Sequence, residues 1–156
     1  DKAGNPKVIE FNCRFGDPET QPVMLRLESS LVLLIEAAFA KALDKVEAQW
    51  DPRPSLGVVL AAGGYPGDYA KGDVISGLEA AATIEGKVFH AGTSLKDGQV
   101  VTNGGRVLCA TAMGSTVADA QQQAYRLARE VTWNGSFYRT DIGYRAIARE
   151  RGEHQQ

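Results

Sequence analysis

Apolar and polar residues alternate along residues 7–14, the first patterned stretch of the chain. Successive side chains on a strand point to opposite faces, so this alternation predicts a strand. One face carries apolar side chains and is predicted to be buried; its residues are Ile9, Phe11 and Cys13. The other face carries an acid, an amide and a guanidinium, namely Glu10, Asn12 and Arg14.

Two helices are predicted before residue 50. Residues 19–22 can open a short helix that ends near Leu27, and Ser29 or Ser30 can cap a longer one. Apolar residues cover nearly all sides of the longer helix, which predicts burial between two units. These residues are Leu31, Val32, Leu33, Leu34, Ile35, Ala38, Phe39 and Ala42. The two prolines in residues 51–54 would end it, and they mark the predicted domain boundary.

The part after this boundary is mostly strands. They are predicted at residues 55–62, 87–91, 100–101 and 106–113, with a short extended piece at Val74-Ile75. Asp97-Gly98 is typical of a hairpin turn, here flanked by the predicted strands at residues 87–91 and 100–101. Thr116 and Asp119 have the spacing of a capping box at the start of an amphipathic helix. We therefore predict an antiparallel α+β unit with this helix packed on one face, followed by a short strand or turn and a last helical turn within residues 137–151.

The start of the chain resembles the tip of a hairpin. Gly4-Asn5-Pro6 favours a turn, and a hairpin needs a strand on both sides. We expect that the chain is the C-terminal piece of a longer protein. The alternative is a short disordered N-terminus before an ordinary first strand.

Composition narrows the class of protein. The net charge of -2 and the pI near 5.7 do not favour a general nucleic-acid or anionic-membrane binder. Apolar residues make up 44% of the chain, as in a globular domain with a core. Cys13 and Cys109 both lie in apolar runs, so both are predicted to be buried free thiols in a reducing cytoplasm.

The polar face of the first strand has a composition suited to metal and phosphate. Next neighbours on one strand face lie about 6.5–7 Å apart, so Glu10 and Asn12 oxygens can close on one hard cation. Magnesium takes one or two such protein oxygens and fills its shell with water and phosphate oxygens. Arg14 could then pair with phosphate. From spacing alone, a solvated edge strand remains the alternative.

Two glycine-rich loops could bring backbone N–H groups to an anion. They are residues 63–67 and residues 103–106, where Arg106 adds a cation. Neither has the Walker or dinucleotide-binding pattern. The alternative is that these glycines serve only turns with positive φ.

The stretch VIEFNCRFGDPETQ resembles the signature of the phosphoribosylamine–glycine ligase (glycinamide ribonucleotide synthetase) family, ATP-grasp enzymes of purine synthesis. The resemblance continues, in order, through SLGVVLAAGGYPGDY, KVFHAGT, VVTNGGRVLCATAMG and YRTDIGYRAI. It implies that residues 1–50 end an ATP-grasp domain and that residues 51–156 form the small antiparallel C-terminal domain.

The resemblance also implies an activity. Enzymes of the family join glycine to 5-phosphoribosylamine, through glycyl phosphate, and release ADP and phosphate. Carried over by motif, Glu10 and Asn12 would bind Mg²⁺ (or Mn²⁺), and Arg14 would contact phosphate as a catalytic residue. The remaining expected site residues are on the substrate side: Asp17, Glu19, Gly104, Gly105 and Arg106.

In this family the adenine-binding segment and the mobile lid precede the matched region. We therefore expect the 156-residue chain alone to be inactive, with the N-terminal part of the same enzyme as its partner and no nucleic acid or membrane involved. A non-catalytic module that only completes a partner's cleft is the alternative function. A carboxylase of the same superfamily fits the motifs less well.

Overall fold

The computed structural model describes residues 4–152 and has an α+β fold. Its helices are α1 (Thr20–Arg26), α2 (Leu31–Phe39), α3 (Leu78–Ala81), α4 (Val117–Glu130) and α5 (Tyr144–Glu150), with a 3₁₀ helix at Leu43–Lys45. Its strands are β1 (Ser55–Ala61), β2 (Lys87–His90), β3 (Thr93–Lys96), β4 (Gln99–Thr102) and β5 (Arg106–Met113). The strands form two antiparallel sheets, ordered β1-β5-β2 and β3-β4, so the predicted antiparallel α+β class is confirmed.

Strand β5 is the centre of the larger sheet. Six of its eight residues are buried, because both faces of the strand are covered. On one face α4 packs against β5 and β1, and Leu108, Leu60 and Leu127 are almost fully enclosed there. On the other face α1 packs against the same two strands.

Helix α4 begins as predicted. The Thr116 hydroxyl accepts a hydrogen bond from the Asp119 N–H at 3.1 Å, and the Asp119 carboxylate accepts one from the Thr116 N–H at 3.2 Å. The Glu150 carboxylate on α5 accepts a further bond from the Val117 N–H. The backbone N–H groups of Thr116, Val117 and Asp119 all have hydrogen-bond acceptors, which fixes where the helix starts.

Two features let helix α1 pack closely on the sheet. The Ser55 hydroxyl donates to the Pro22 carbonyl at 2.7 Å, which connects β1 to the helix. Gly57 leaves room for the Pro22 ring, since a Cβ there would lie 3.4 Å from the proline Cδ and 2.9 Å from the Cys109 sulfur. The glycine in β1 therefore permits α1 to lie close on the sheet.

The Asp97-Gly98 hairpin forms, but with a different first strand. Both turn residues have positive φ, 49° and 78°, as a two-residue hairpin turn requires. The turn joins β3 to β4, whereas Lys87–His90 pairs with β5. The short strand Thr93–Lys96 was not predicted, because it is largely exposed and its sequence carries only one large apolar side chain, Leu95.

The predicted strand at residues 7–14 is absent. The backbone there has no neighbouring strand within the described chain, and a strand without a ladder partner leaves its backbone groups to solvent. Ile9 is 95% exposed and Phe11 86% exposed, so the face predicted to be buried is not buried here. Of the predicted hairpin tip, residues 1–3 lie outside the described residues, and Gly4 has a φ of 84°, as a turn allows.

The predicted burial of the second helix is also wrong for this structure. Ser30 caps α2 as expected, accepting a bond from the Leu33 N–H, but none of the helix residues is buried. Val32 and Leu33 are each 64% exposed, because no other described element covers that side. The helix ends at Phe39, well before the prolines, and Lys41 just beyond it has a φ of 53°.

Residues 137–151 follow the prediction. Phe137 forms an isolated bridge with Ala61, and α5 then supplies the last helical turns. Among the described helices, none has the length and apolarity needed to cross a bilayer.

Candidate functional site

Glu10 and Asn12 lie next to each other at the surface. The Asn12 side-chain amide donates to the Glu10 carboxylate at 2.9 Å, so an acid oxygen and an amide group face the same small region. Both residues are exposed. A cation that needs two protein oxygens and otherwise water or phosphate would fit this pair after the amide turned its oxygen outward. Over residues 4–152 there is no group of three or more His, Cys, Asp or Glu side chains that could hold a metal by themselves.

Arg14 is beside this pair in sequence but bonds locally. One guanidinium nitrogen donates to the Phe15 carbonyl at 2.7 Å. A guanidinium has five N–H donors, and the side chain is exposed, so donors remain for an anion.

Asp17 and Arg106 are brought together although they are far apart in sequence. The Asp17 carboxylate and the Arg106 guanidinium form an ion pair at 2.9 Å. The guanidinium carbon also lies 6.0 Å from the centre of the Tyr65 ring, within cation–π range. This cluster joins the segment after the Glu10–Arg14 motif to one glycine loop and to the start of β5.

Gly104 and Gly105 are explained by close packing. Neither has the positive φ that the turn alternative supposed. A Cβ on Gly104 would lie 2.9 Å from the Gly92 Cα, and one on Gly105 would lie 2.8 Å from the Tyr65 Cε2 and 2.9 Å from the Tyr69 Cε1. Real Cβ contacts are not this short, so both positions require glycine for space.

Two of the expected substrate-side residues, Arg106 and Glu19, line different cavities. Arg106 lines a cavity of about 460 Å³ whose apolar wall includes Val59, Tyr65 and Phe137. Glu19 lines a different, more open one of about 530 Å³, beside Pro22 and Trp50. The structure therefore groups Asp17, Gly105 and Arg106, and it does not place Glu19 with them.

Sequence reasoning missed Tyr138 and Arg139, which also line the Arg106 cavity. Arg139 forms an ion pair with Asp141 at 2.7 Å, and this hydrogen bond lowers the pKa of the Asp141 carboxyl. The only signal in the sequence was the YRTDIGYRAI stretch, whose residues could not be assigned to a cavity without the fold.

The two cysteines differ. Cys109 is buried in β5, and desolvation raises the pKa of its thiol although a hydrogen bond with Thr111 opposes the shift. Cys13 is exposed, which corrects the prediction that both thiols are buried. Its exposure has the same cause as that of Ile9 and Phe11: no strand within residues 4–152 pairs with this segment.

The class of protein follows from residues 55–145, which match the family model described as "Phosphoribosylglycinamide synthetase, C domain". The match covers more than half of the chain, and the chain belongs to this family. The resemblance inferred from the VIEFNCRFGDPETQ motif and its companions is confirmed.

Individual relatives carry the name phosphoribosylamine–glycine ligase. The protein of Pseudomonas putida is 94% identical over 156 residues, which is 100% of this chain and 36% of that protein. The Escherichia coli protein is 64% identical over 152 residues, 97% of this chain and 35% of that protein. The crystal structure of the Thermotoga maritima ligase matches with a TM-score of 0.64 and 38% identity, over 88% of this chain and 34% of that one. The chain thus spans about a third of the length of these relatives.

Proposed function

We propose that the chain is the C-terminal part of a phosphoribosylamine–glycine ligase. The complete enzyme would join glycine to 5-phosphoribosylamine with ATP and release glycinamide ribonucleotide, ADP and phosphate. The observation that carries this proposal is identity over the whole chain, 94% to a relative of that name.

We assign residues 1–50 to the end of an ATP-grasp domain and residues 51–156 to the C-terminal domain. Support for the division comes from burial, because the buried apolar residues of the described chain all follow Pro54. Before it, Ile9, Phe11 and helix α2 expose apolar side chains that a soluble enzyme would cover. The remaining two thirds of the ligase would cover them.

Glu10 and Asn12 would hold Mg²⁺ or Mn²⁺ in this enzyme. Such a cation, when bound, neutralises charge on the phosphate groups of ATP. The carboxylate supplies the negative charge that a hard cation prefers. The Asn12 amide, whose nitrogen donates to that carboxylate at 2.9 Å, would supply its oxygen as a second ligand after rotation. Arg14 would serve as the catalytic cation toward phosphate, through the N–H groups that Phe15 does not use.

Asp17, Glu19, Gly104, Gly105 and Arg106 would border the substrate side of the cleft. The Asp17–Arg106 ion pair supports this for one edge, because it connects the motif segment to the cavity lined by Arg106. Glu19 borders a separate cavity beside Pro22 and Trp50. A cytoplasmic location would suit the free thiols of Cys13 and Cys109.

Ligase assays on two proteins test the proposed function. The complete ligase that contains this chain should release ADP only when both glycine and phosphoribosylamine are present. The 156-residue chain alone should release none, because donors on both sides of the phosphate are needed to stabilise the transferring group. Absence of substrate-dependent ADP release by the complete protein would leave only a structural module, and release by the isolated chain would contradict the division of the site.

A further inference from the structure

The Asp17 carboxylate forms an ion pair within the folded chain. It lies 2.9 Å from the Arg106 guanidinium, and both side chains are roughly half exposed, 51% and 40%. An exposed ion pair of this kind contributes little to overall stability. Its consequence is therefore geometric: it fixes where residue 17 lies relative to the first residue of β5.

Arg106 is held from its other side by the loop at residues 63–69. The Tyr65 ring lies under the guanidinium at 6.0 Å and contacts the Tyr69 ring at 6.3 Å between centroids. Gly105, without a side chain, lets the Tyr65 ring approach the backbone beside Arg106. The Arg106 guanidinium is thus packed against Tyr65, which is itself packed against Tyr69 in the loop after β1.

The segment on the Asp17 side is anchored in the direction of α1. The Thr20 N–H donates to the Gly16 carbonyl at 3.1 Å, and Ser55 binds the Pro22 carbonyl. Toward the N-terminus, Glu10, Asn12 and Arg14 make hydrogen bonds within residues 10–15. Asp17 stands between the anchored part and the exposed motif.

We propose that Asp17, Arg106 and Tyr65 form a latch that positions the Glu10–Arg14 segment on the C-terminal domain. Asp17 and Arg106 still border the substrate side of the cleft, but Asp17 is then a positioning residue that acts through Arg106, and neither side chain needs to contact substrate or a reacting atom. This inference rests on the proposed function, since it gives the segment its metal and phosphate contacts. A shift of about 1 Å in such contacts can cost about 100-fold in rate.

Kinetics of the complete ligase test the latch through four variants: Asp17→Asn, Arg106→Gln, the double variant and Arg106→Lys. Each neutral variant should lower kcat about tenfold and weaken the apparent affinity for Mg²⁺, while KM for phosphoribosylamine changes less than about twofold. The double variant should be no worse than either single one, because both break the same contact. Arg106→Lys keeps the charge pair and should fall between parent and Arg106→Gln.

Glu85→Gln is the matched control, because it breaks another exposed ion pair, with Arg53 at 3.7 Å, that lies outside the candidate site. It should leave kcat and the Mg²⁺ dependence unchanged. If replacing Arg106 raised KM for phosphoribosylamine while Asp17→Asn had no effect, Arg106 would be a substrate ligand and the latch would be wrong. Additive losses in the double variant would contradict it equally.

Hydrogen exchange in the complete protein separates this inference from the proposed function. Loss of the latch should speed amide exchange at residues 15–20 at least about threefold in both neutral variants, whether or not the protein ligates glycine. Unchanged exchange there would overturn the latch even in an active ligase. An inactive parent protein with faster exchange in the variants would instead remove the proposed function and keep the contact.

Discussion

Replacing Gly105 by alanine would put a methyl group against two aromatic rings. The new Cβ would lie 2.8 Å from the Tyr65 Cε2, closer still to the Cδ2, and 2.9 Å from the Tyr69 Cε1. Carbon atoms in contact prefer about 3.5–4.0 Å, so the Tyr65 ring or the turn must move by roughly 1 Å. Overpacking of this size costs about 1–3 kcal/mol, and we expect Gly105→Ala to lower the free energy of unfolding by that amount.

Denaturant unfolding of four chains would measure the effect: parent, Gly105→Ala, Tyr65→Ala and the double variant. If the Tyr65 ring is the main obstacle, Gly105→Ala should lower the free energy of unfolding far less in the Tyr65→Ala background, where that ring is absent. An equal cost in both backgrounds would refute the packing argument. It would leave the Tyr69 ring, which the new Cβ also approaches to 2.9 Å, or the backbone at Gly105 as the source of the cost.

Three further outcomes follow from local contacts. Thr116→Ala should cost about 1 kcal/mol in thermal or denaturant unfolding, because the cap to the Asp119 N–H is lost, whereas Thr116→Ser should cost little. Hydrogen bonds from the Ser115 hydroxyl and then from Thr116 lower the pKa of the Asp119 carboxyl below its ordinary value of 3.8. Because the folded chain favours the ionised carboxylate, Asp119 stabilises the fold above about pH 3.8, and this stabilisation is lost as the pH falls through the folded pKa. The difference in unfolding free energy between the parent and Asp119→Asn should therefore vanish at low pH. An aromatic disulfide reagent should label Cys13 quickly in the native chain and Cys109 only after unfolding; two fast thiols would contradict the burial of β5.

Elements specified by short-range signals were predictable. The Thr116–Asp119 spacing determined the start of α4, and the Asp97-Gly98 turn determined a hairpin even though its first strand was misassigned. The apolar run of β5 was long enough to identify a central strand. In each case the residues that fix the element lie within a few positions of one another.

Elements that depend on a distant partner were not predictable. The apolar faces of residues 7–14 and of α2 predict burial, but burial needs a covering surface that the described chain does not supply. For the candidate site, the motif identified Glu10 and Asn12 as neighbours, and the structure brings them to 2.9 Å. The contact between Asp17 and Arg106 joins residues on opposite sides of the predicted domain boundary, and no local pattern encodes it.

The proposed role of Glu10 is to hold the metal of an ATP-dependent ligase. Its most direct test is steady-state kinetics of the complete enzyme over a Mg²⁺ titration, comparing the parent with Glu10→Gln. Glu130→Gln at the exposed end of α4 is the matched control.

Glu10→Gln keeps the side-chain shape and one oxygen but removes the charge that a hard cation prefers. We expect kcat to fall about 30- to 150-fold, equivalent to about 2–3 kcal/mol of transition-state stabilisation, with a weaker apparent Mg²⁺ affinity and an unchanged melting temperature. A Glu10→Gln enzyme with parental kcat at limiting Mg²⁺, indistinguishable from Glu130→Gln, would contradict the claim.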